Sequence, residues 1–298
     1  MSEARSLTLA GGRLAGLCWG DDAAPTWLAL HGWLDNAASF TRLAPHLVER
    51  LGVRVVAIDF TGHGLSQHVE GDYALWDYCH DLLDAADELG LERVTLLAHS
   101  MGAGVACLTA AALPERVERL LLIDGLGVVT TEVEDTPAQL RKGLRAARRP
   151  LSSVPRYPDS STAVAARVAG GVTSIDGETA TPLVMRNLMS EGDGHVRLRT
   201  DGRLLWPSPV RLTPDQVLAT LGKIRAPVLL IEGETGILGN RDTVAAARAV
   251  VPVLTRRVLP GGHHLHLEPG SVVAVADAIT DWLVSPEAFE ERGAQGET

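Results

Sequence analysis

The stretch Arg93-Val94-Thr95-Leu96-Leu97-Ala98-His99-Ser100-Met101-Gly102-Ala103-Gly104 decides the fold. A short apolar run ends in a polar pair and passes directly into a segment of small residues, which reads as a buried strand turning sharply into a buried helix. Residues 98 to 102 have the small-x-Ser-x-small pattern of a nucleophile elbow. The serine at such a turn sits in a strained backbone conformation, and bulky side chains two positions before or after it would collide. Ala98 stands where glycine is usual, a mild departure. The bland alternative is a buried strand that ends in an incidental serine.

The rest of the chain arranges itself around this turn. Residues 27–31, 53–60, 93–99, 118–124, 227–233 and 254–261 are expected strands, and SLTLA with RLAGLCW an opening hairpin. Helical spacing of Leu75, Cys79, Leu82, Leu83, Ala86 and Leu89, with Gly90 as cap, and of Val272, Val275, Ala276, Ile279 and Leu283 supplies helices between and after them. Alternation of this kind predicts a mostly parallel sheet with helices on its faces. About 100 residues separate Asp124 from Pro227, too many for one crossover helix, so an inserted subdomain is expected. Within it we expect helices near 139–149, 162–169 and 180–190, and a hairpin over 195–206 turning at Asp201-Gly202. A helix led by the capping box Thr213-Pro214-Asp215-Gln216 follows. The division is core 1–126, inserted cap 127–224 and core 225–298, with the last dozen residues a frayed tail.

Composition narrows the function classes. The 298 residues are 46% hydrophobic and 21% charged, ordinary globular usage. Lys and Arg number 27 against 37 Asp and Glu, a net charge of −10 that disfavours nucleic-acid phosphates as partners. Cys18, Cys79 and Cys107 form no pairing or zinc pattern, which fits a reducing, cytoplasmic setting. The first residues show no secretory signal, so the mature chain is expected to start there. From Val94 to Pro114 no charged residue occurs, but His99, Ser100, Met101, Gly102 and Gly104 at its centre argue for strand plus buried helix over a membrane span.

Three further segments bear chemistry. Gly261-Gly262-His263-His264-Leu265-His266 follows the last strand, and His263, reached through two glycines, is the expected general base for Ser100. His266 is read as a structural hydrogen-bonding residue, and metal binding by the three histidines is the competing account. His31-Gly32-Trp33 ends the third strand, so the Trp33 N–H, with that of Met101, is an expected oxyanion hole, the Trp33 ring being a core aromatic or a pocket wall. The acid is less plain. The seventh-strand loop reads Gly233-Glu234-Thr235-Gly236, with glycine where an aspartate is usual; Asp124, at the end of the sixth strand, is the preferred partner of His263 and Glu234 its competitor. Asp59 is expected to fix a loop. Gly102-x-Gly104 with Asp124 imitates a dinucleotide fingerprint poorly. The basic run Arg141, Lys142, Arg145, Arg148, Arg149 is either a solvated helix face or an attractor of a carboxylated substrate.

Together HGWLDNAASF, DFTGHGLSQH, AHSMGAG, LLLIDGLG, the stretch from GHVRLRTDGRLLW to LTPDQV, and GGHHLHLE resemble the α/β-hydrolase superfamily, and within it the serine hydrolase-like proteins. The likeness runs from about Trp27 to Trp282. It implies an eight-stranded sheet, a helical cap inserted after the sixth strand and a Ser/acid/His triad, with Ser100 as nucleophile, His263 as base, and Trp33 and Met101 as oxyanion donors; the acid does not carry over cleanly. The expectation is hydrolysis of an ester-like bond of a small or medium acyl substrate through an acyl-enzyme, without metal or cofactor. Thioester, lactone or carbon–carbon bond hydrolysis, and a non-catalytic ligand-binding protein of the same fold, are the alternatives. A small molecule is the expected partner, and the oligomeric state is left open.

Overall fold

A computed structural model describes residues 3–150, 154–171, 173–239 and 242–285. The expected tail lies outside the described residues. Strands β1 (Arg5–Leu9), β2 (Leu14–Trp19), β3 (Thr26–Leu30), β4 (Arg54–Ile58), β5 (Val94–His99), β6 (Val117–Ile123), and, after the insertion, β10 (Val228–Gly233) and β11 (Leu254–Leu259) form one eight-stranded sheet in the order β1-β2-β4-β3-β5-β6-β10-β11. β1, β2 and β4 pair antiparallel, and every other pairing is parallel. Central strands buried on both faces are mostly apolar, and β5 and β10 are buried along their whole length, the buried Glu232 of β10 being paired with Arg248 and Arg256.

Helices cover both faces. On one, α2 (Tyr78–Glu88), α3 (Met101–Ala112), α7 (Pro214–Leu221) and α8 (Asp242–Val250) pack through residues such as Leu82, Val105, Leu221 and Ala247. On the other, α1 (Leu43–Leu51) and α9 (Val272–Leu283) pack through Leu43, Leu47, Ile279 and Trp282. α3 is buried on nearly every side, which explains a segment with no charge and almost no amphipathicity. Among the described residues no helix is long and apolar enough to cross a membrane. The Thr213 capping box forms as read, its side chain accepting from Gln216 N and its own N–H donating to Gln216.

Between β6 and β10 the chain builds α4 (Thr136–Ala147), β7 (Arg156–Tyr157), α5 (Ser160–Gly170), α6 (Gly177–Asn187), β8 (Leu188–Ser190) and β9 (Val196–Leu198), the three strands forming a small antiparallel sheet in the order β7-β9-β8. The expected hairpin over 195–206 is corrected here. β9 pairs with β8 and β7, and Gly202–Leu205 is a 3₁₀ turn. Asp201 has an ordinary negative φ and spends its carboxylate on Arg203 N, the Tyr73 hydroxyl and the Arg203 guanidinium, so Asp-Gly serves as a helix cap. Helix α6 likewise stops at Asn187 because β8 takes the next residues.

Three contacts seat the insertion on the core. Asn36 Nδ2 donates to Leu183 O at 2.8 Å and Trp33 Nε1 to Leu204 O at 3.1 Å. The third is an ion pair of Arg186 on α6 with Asp59 after β4, Nη2 to Oδ2 at 2.8 Å, both side chains buried. Asp59 also accepts from the amides of Ala37 and Leu65, fixing the loops on either side, as read from the sequence. Removing one member of a buried pair strands the other's charge. Arg186→Met is therefore expected to lower unfolding stability by about 3 kcal/mol in urea titration; a loss below about 1 kcal/mol would show that the two amides suffice for Asp59.

Candidate functional site

Ser100 occupies the turn between β5 and α3 with φ 52° and ψ −113°, a strained conformation for a residue with a side chain. The small neighbours are required by contact. A Cβ on Gly102 would strike the β3 backbone at Leu30, and one on Gly125 would lie 2.7 Å from Ser100 O. Asp124 follows β6 and is also at positive φ, 41°. His263 stands on the loop after β11, where Gly261 takes φ 135°.

These elements bring three side chains into line. Ser100 Oγ lies 3.0 Å from His263 Nε2, and His263 Nδ1 lies 2.6 Å from Asp124 Oδ2. A carboxylate only accepts, so Nδ1 carries the proton and Nε2 presents a lone pair to the serine hydroxyl. Asp124 Oδ2 also accepts from Ile237 N at 2.8 Å. Glu234 is exposed, and among the described residues it makes no hydrogen bond or ion pair with His263. The glycine at 236 has a steric reason: a Cβ there would fall on the carboxylate of Asp124, so the volume usually given to a seventh-strand acid is filled from the sixth strand.

The segment after β3 lies against the elbow. Gly102 N donates to His31 O at 3.1 Å, and a Cβ on Gly32 would sit 3.2 Å from Ser100 Cβ. Among the described residues the N–H groups of Trp33 and Met101 donate to no protein acceptor. The Trp33 ring is no core aromatic: it is 41% exposed and lines a cavity of about 2020 Å³ together with Ser100, Met101, His263 and Trp206. The insertion roofs this cavity.

Residues the sequence reading passed over surround the site. His99 is fully buried, and its Nε2–H donates to His263 O at 2.9 Å, holding the loop that presents the imidazole. Its signal was a polar residue closing an apolar strand. His264 Nε2 donates to Asp35 Oδ2 at 3.0 Å, and His266 Nε2 contacts Ser39 Oγ at 2.8 Å, the structural role expected of His266. The three histidines of 263–266 therefore have separate partners. One set of donors among the described residues, Asp35, His99 and His264, comes within 4.8 Å. Within it His264 and Asp35 are already hydrogen-bonded to each other.

Burial dominates the electrostatics. Desolvation lowers His31 to about 4 and His63 to about 3, and holds His99 and His266 well below the usual imidazole range. Asp35 is held down by the neighbouring His264, against the opposing effect of burial. For His31 and His63 the folded state binds fewer protons than the unfolded chain between about pH 6.5 and the lowered values, so stability is full above that window and falls as pH drops through it. By pH 5 each is expected to cost about 2 kcal/mol. Urea midpoints measured from neutral pH to pH 5 should fall steadily; a flat profile would mean that these imidazoles are solvated.

Comparison with known proteins identifies the family and the fold. The family model described as the alpha/beta hydrolase fold matches residues 25–269. A serine hydrolase-like protein of Dictyostelium discoideum is 34% identical over 94% of this chain and 79% of its own. The crystal structure of a hypothetical protein of Pseudomonas aeruginosa is 43% identical, with TM-score 0.85, covering 95% of this chain and 100% of that one. A thioesterase domain from the curacin biosynthetic pathway is 26% identical, with TM-score 0.77, covering 96% and 100%.

Proposed function

The chain belongs to the α/β-hydrolase fold family and is a hydrolase of that fold, and from this premise we propose that it cleaves an ester-like bond through an acyl-enzyme formed on Ser100. The observation that carries this reading is the unbroken line Ser100 Oγ, His263, Asp124, with contacts of 3.0 and 2.6 Å. His263 Nε2 takes the hydroxyl proton as Oγ attacks the carbonyl carbon. Asp124 holds the Nδ1–H tautomer and stabilises the imidazolium. The tetrahedral oxyanion is received by the Trp33 and Met101 amides, two donors fixed before the charge develops, a device typically worth about 10²-fold per donor. His263 then protonates the leaving group and activates water on the ester of Ser100. No step requires a group beyond the chain's own residues and water.

Strain at Ser100 supports the same reading, because a serine kept at positive φ by its neighbours is costly unless that position is used. A thioester serves this mechanism as well as an oxygen ester, since the protonated leaving atom is sulfur or oxygen with no change in the protein's part. The elbow lies under the insertion, within the cavity and away from any flat surface. That position favours soluble substrates with a small or medium acyl group over lipid at an emulsion interface.

A fluorophosphonate should add covalently to the folded protein, and the adduct should map to Ser100 by mass spectrometry. Labelling that survives Ser100→Ala would move the nucleophile elsewhere, and no labelling at all would favour a non-catalytic ligand-binding protein of this fold. Asp124→Asn should keep the circular dichroism spectrum and lower kcat by about 10³ to 10⁴, whereas Glu234→Gln should change it little. The reverse pattern would exchange their roles. Among esters, short soluble ones should turn over faster than emulsified long-chain triglyceride; the opposite order would contradict the size argument.

A further inference from the structure

Helix α4 of the insertion presents its charged side to the cavity and its apolar side to water. Its rotation is fixed on the buried Gly143, where a Cβ would meet Pro209, and by Gln139 Nε2 donating to Ser208 O. Positions 138, 141, 142, 145 and 146 recur at helical spacing and line the cavity that holds Ser100 and His263, as do Gly143 and Ala147 of the helix and Arg149 just past its end. Four of them are Arg141, Lys142, Arg145 and Arg149. On the opposite side Leu140 and Leu144 are 40% and 52% exposed and do not line the cavity. A helix packed for stability alone does the reverse.

These cations also lack counter-charges. Among the described residues none of the four makes an ion pair. The cavity lining carries seven Arg and Lys side chains against four Asp, in a chain whose net charge is −10. Of the four carboxylates, Asp35 is engaged by His264 and Asp201 by Arg203. Like charges gathered on one wall of a concave site repel each other and focus a positive potential into it, and a bound anion relieves that repulsion.

We propose that Arg141, Lys142 and Arg145 on α4, with Arg149 just past its end, bind an anionic group of the substrate, a carboxylate or phosphate remote from the scissile carbonyl. The role in turnover rests on the hydrolase reading above; the anion binding stands on these cations alone. The anion has two possible sources, a carboxylate on the acyl part or phosphates on the leaving group, and both present the same chemistry to guanidinium and ammonium donors.

The test compares kcat/KM of the full chain on neutral para-nitrophenyl pentanoate, the anionic half-ester para-nitrophenyl glutarate, and pentanoyl-coenzyme A with its phosphates. At low ionic strength at least one anionic substrate should show an advantage that shrinks as salt is added. The half-ester places the charge on the acyl side and the thioester places it on the leaving group. The advantage should fall about tenfold or more in Arg141→Glu/Arg145→Glu, chiefly through KM, as expected for loss of two charge-assisted contacts. Arg148→Glu, at the C-terminal cap of the same helix and outside the cavity lining, should change it by no more than about twofold. Arg141→Gln/Arg145→Gln gives a milder replacement should the double reversal misfold. Calorimetric binding of glutarate and of coenzyme A to Ser100→Ala needs no turnover. Binding of either anion that disappears in the double variant, with no ester hydrolysed, would sink the hydrolase reading and leave this one standing. Neutral and anionic substrates turned over equally, with neither anion bound, would overturn the proposal and leave the hydrolase reading intact.

Discussion

Everything at the site depends on one steric constraint, the close approach of backbone around a serine held at positive φ. The turn at Ser100 is possible only because β3, β5 and β6 deliver chain within contact of it and their neighbours lack bulk. Gly102 abuts the β3 carbonyl at Leu30, Gly32 lies against the side chains of His99 and Ser100, and Gly125 faces Ser100 O. A side chain at any of the three would push a strand end away from the elbow. These strands meet where the chain order of the sheet reverses, β3 and β6 flanking β5, which leaves an open crevice at their carboxyl ends. The fold thus places a strained residue at the mouth of a crevice, and the chemistry proposed for Ser100 follows from that placement.

The second constraint is electrostatic. Buried imidazoles crowd the site, and most are kept neutral by desolvation, with the His99 ring tilted against His263 at 4.5 Å and against His266 at 4.3 Å. A neutral His99 with its proton on Nε2 donates to the His263 carbonyl and adds no repulsion when His263 gains a proton. Were His99 charged, an imidazolium on His263 would face a like charge across a low-dielectric contact. Among the described residues Asp124 supplies the one carboxylate hydrogen-bonded to His263, and in the proposed cycle it stabilises the positive charge there.

Much of this was legible in the chain. Alternation of apolar strands with helix-period segments, the elbow around Ser100 and the order of Ser100 before His263 are local patterns, and local patterns survive folding. The preference for Asp124 over Glu234 came from its place at a strand end. The steric reason, Gly236 making room for the Asp124 carboxylate, joins residues more than a hundred positions apart and has no local signature. The reading of Asp201-Gly202 as a hairpin turn failed for a related cause: a dipeptide that tolerates positive φ also caps a helical turn, and the choice was made by Tyr73 and Arg203, which claim the Asp201 carboxylate. The roles of His99 and Asp35 escape the sequence because burial and partnership at the end of a strand are set by the loops that cover it.

The insertion and the core are not independent structures that happen to touch. Trp33, whose amide is proposed to receive the oxyanion, is held by its indole N–H to Leu204 of the insertion. Asn36, three residues on, is bound to Leu183, and Asp59, which fixes the loop beside it through Ala37 N, is paired with Arg186. All three contacts converge on the loop after β3, so any displacement of α6 or of the 202–205 turn is transmitted to the backbone that lies against Ser100. A rigid oxyanion donor needs support from every side. Here the core supplies one side through the Gly102–His31 bond and the insertion supplies the other. The roof of the cavity is therefore part of what sets the geometry of its floor, and a substrate group that engages α4 acts on the same body that steadies the Trp33 amide.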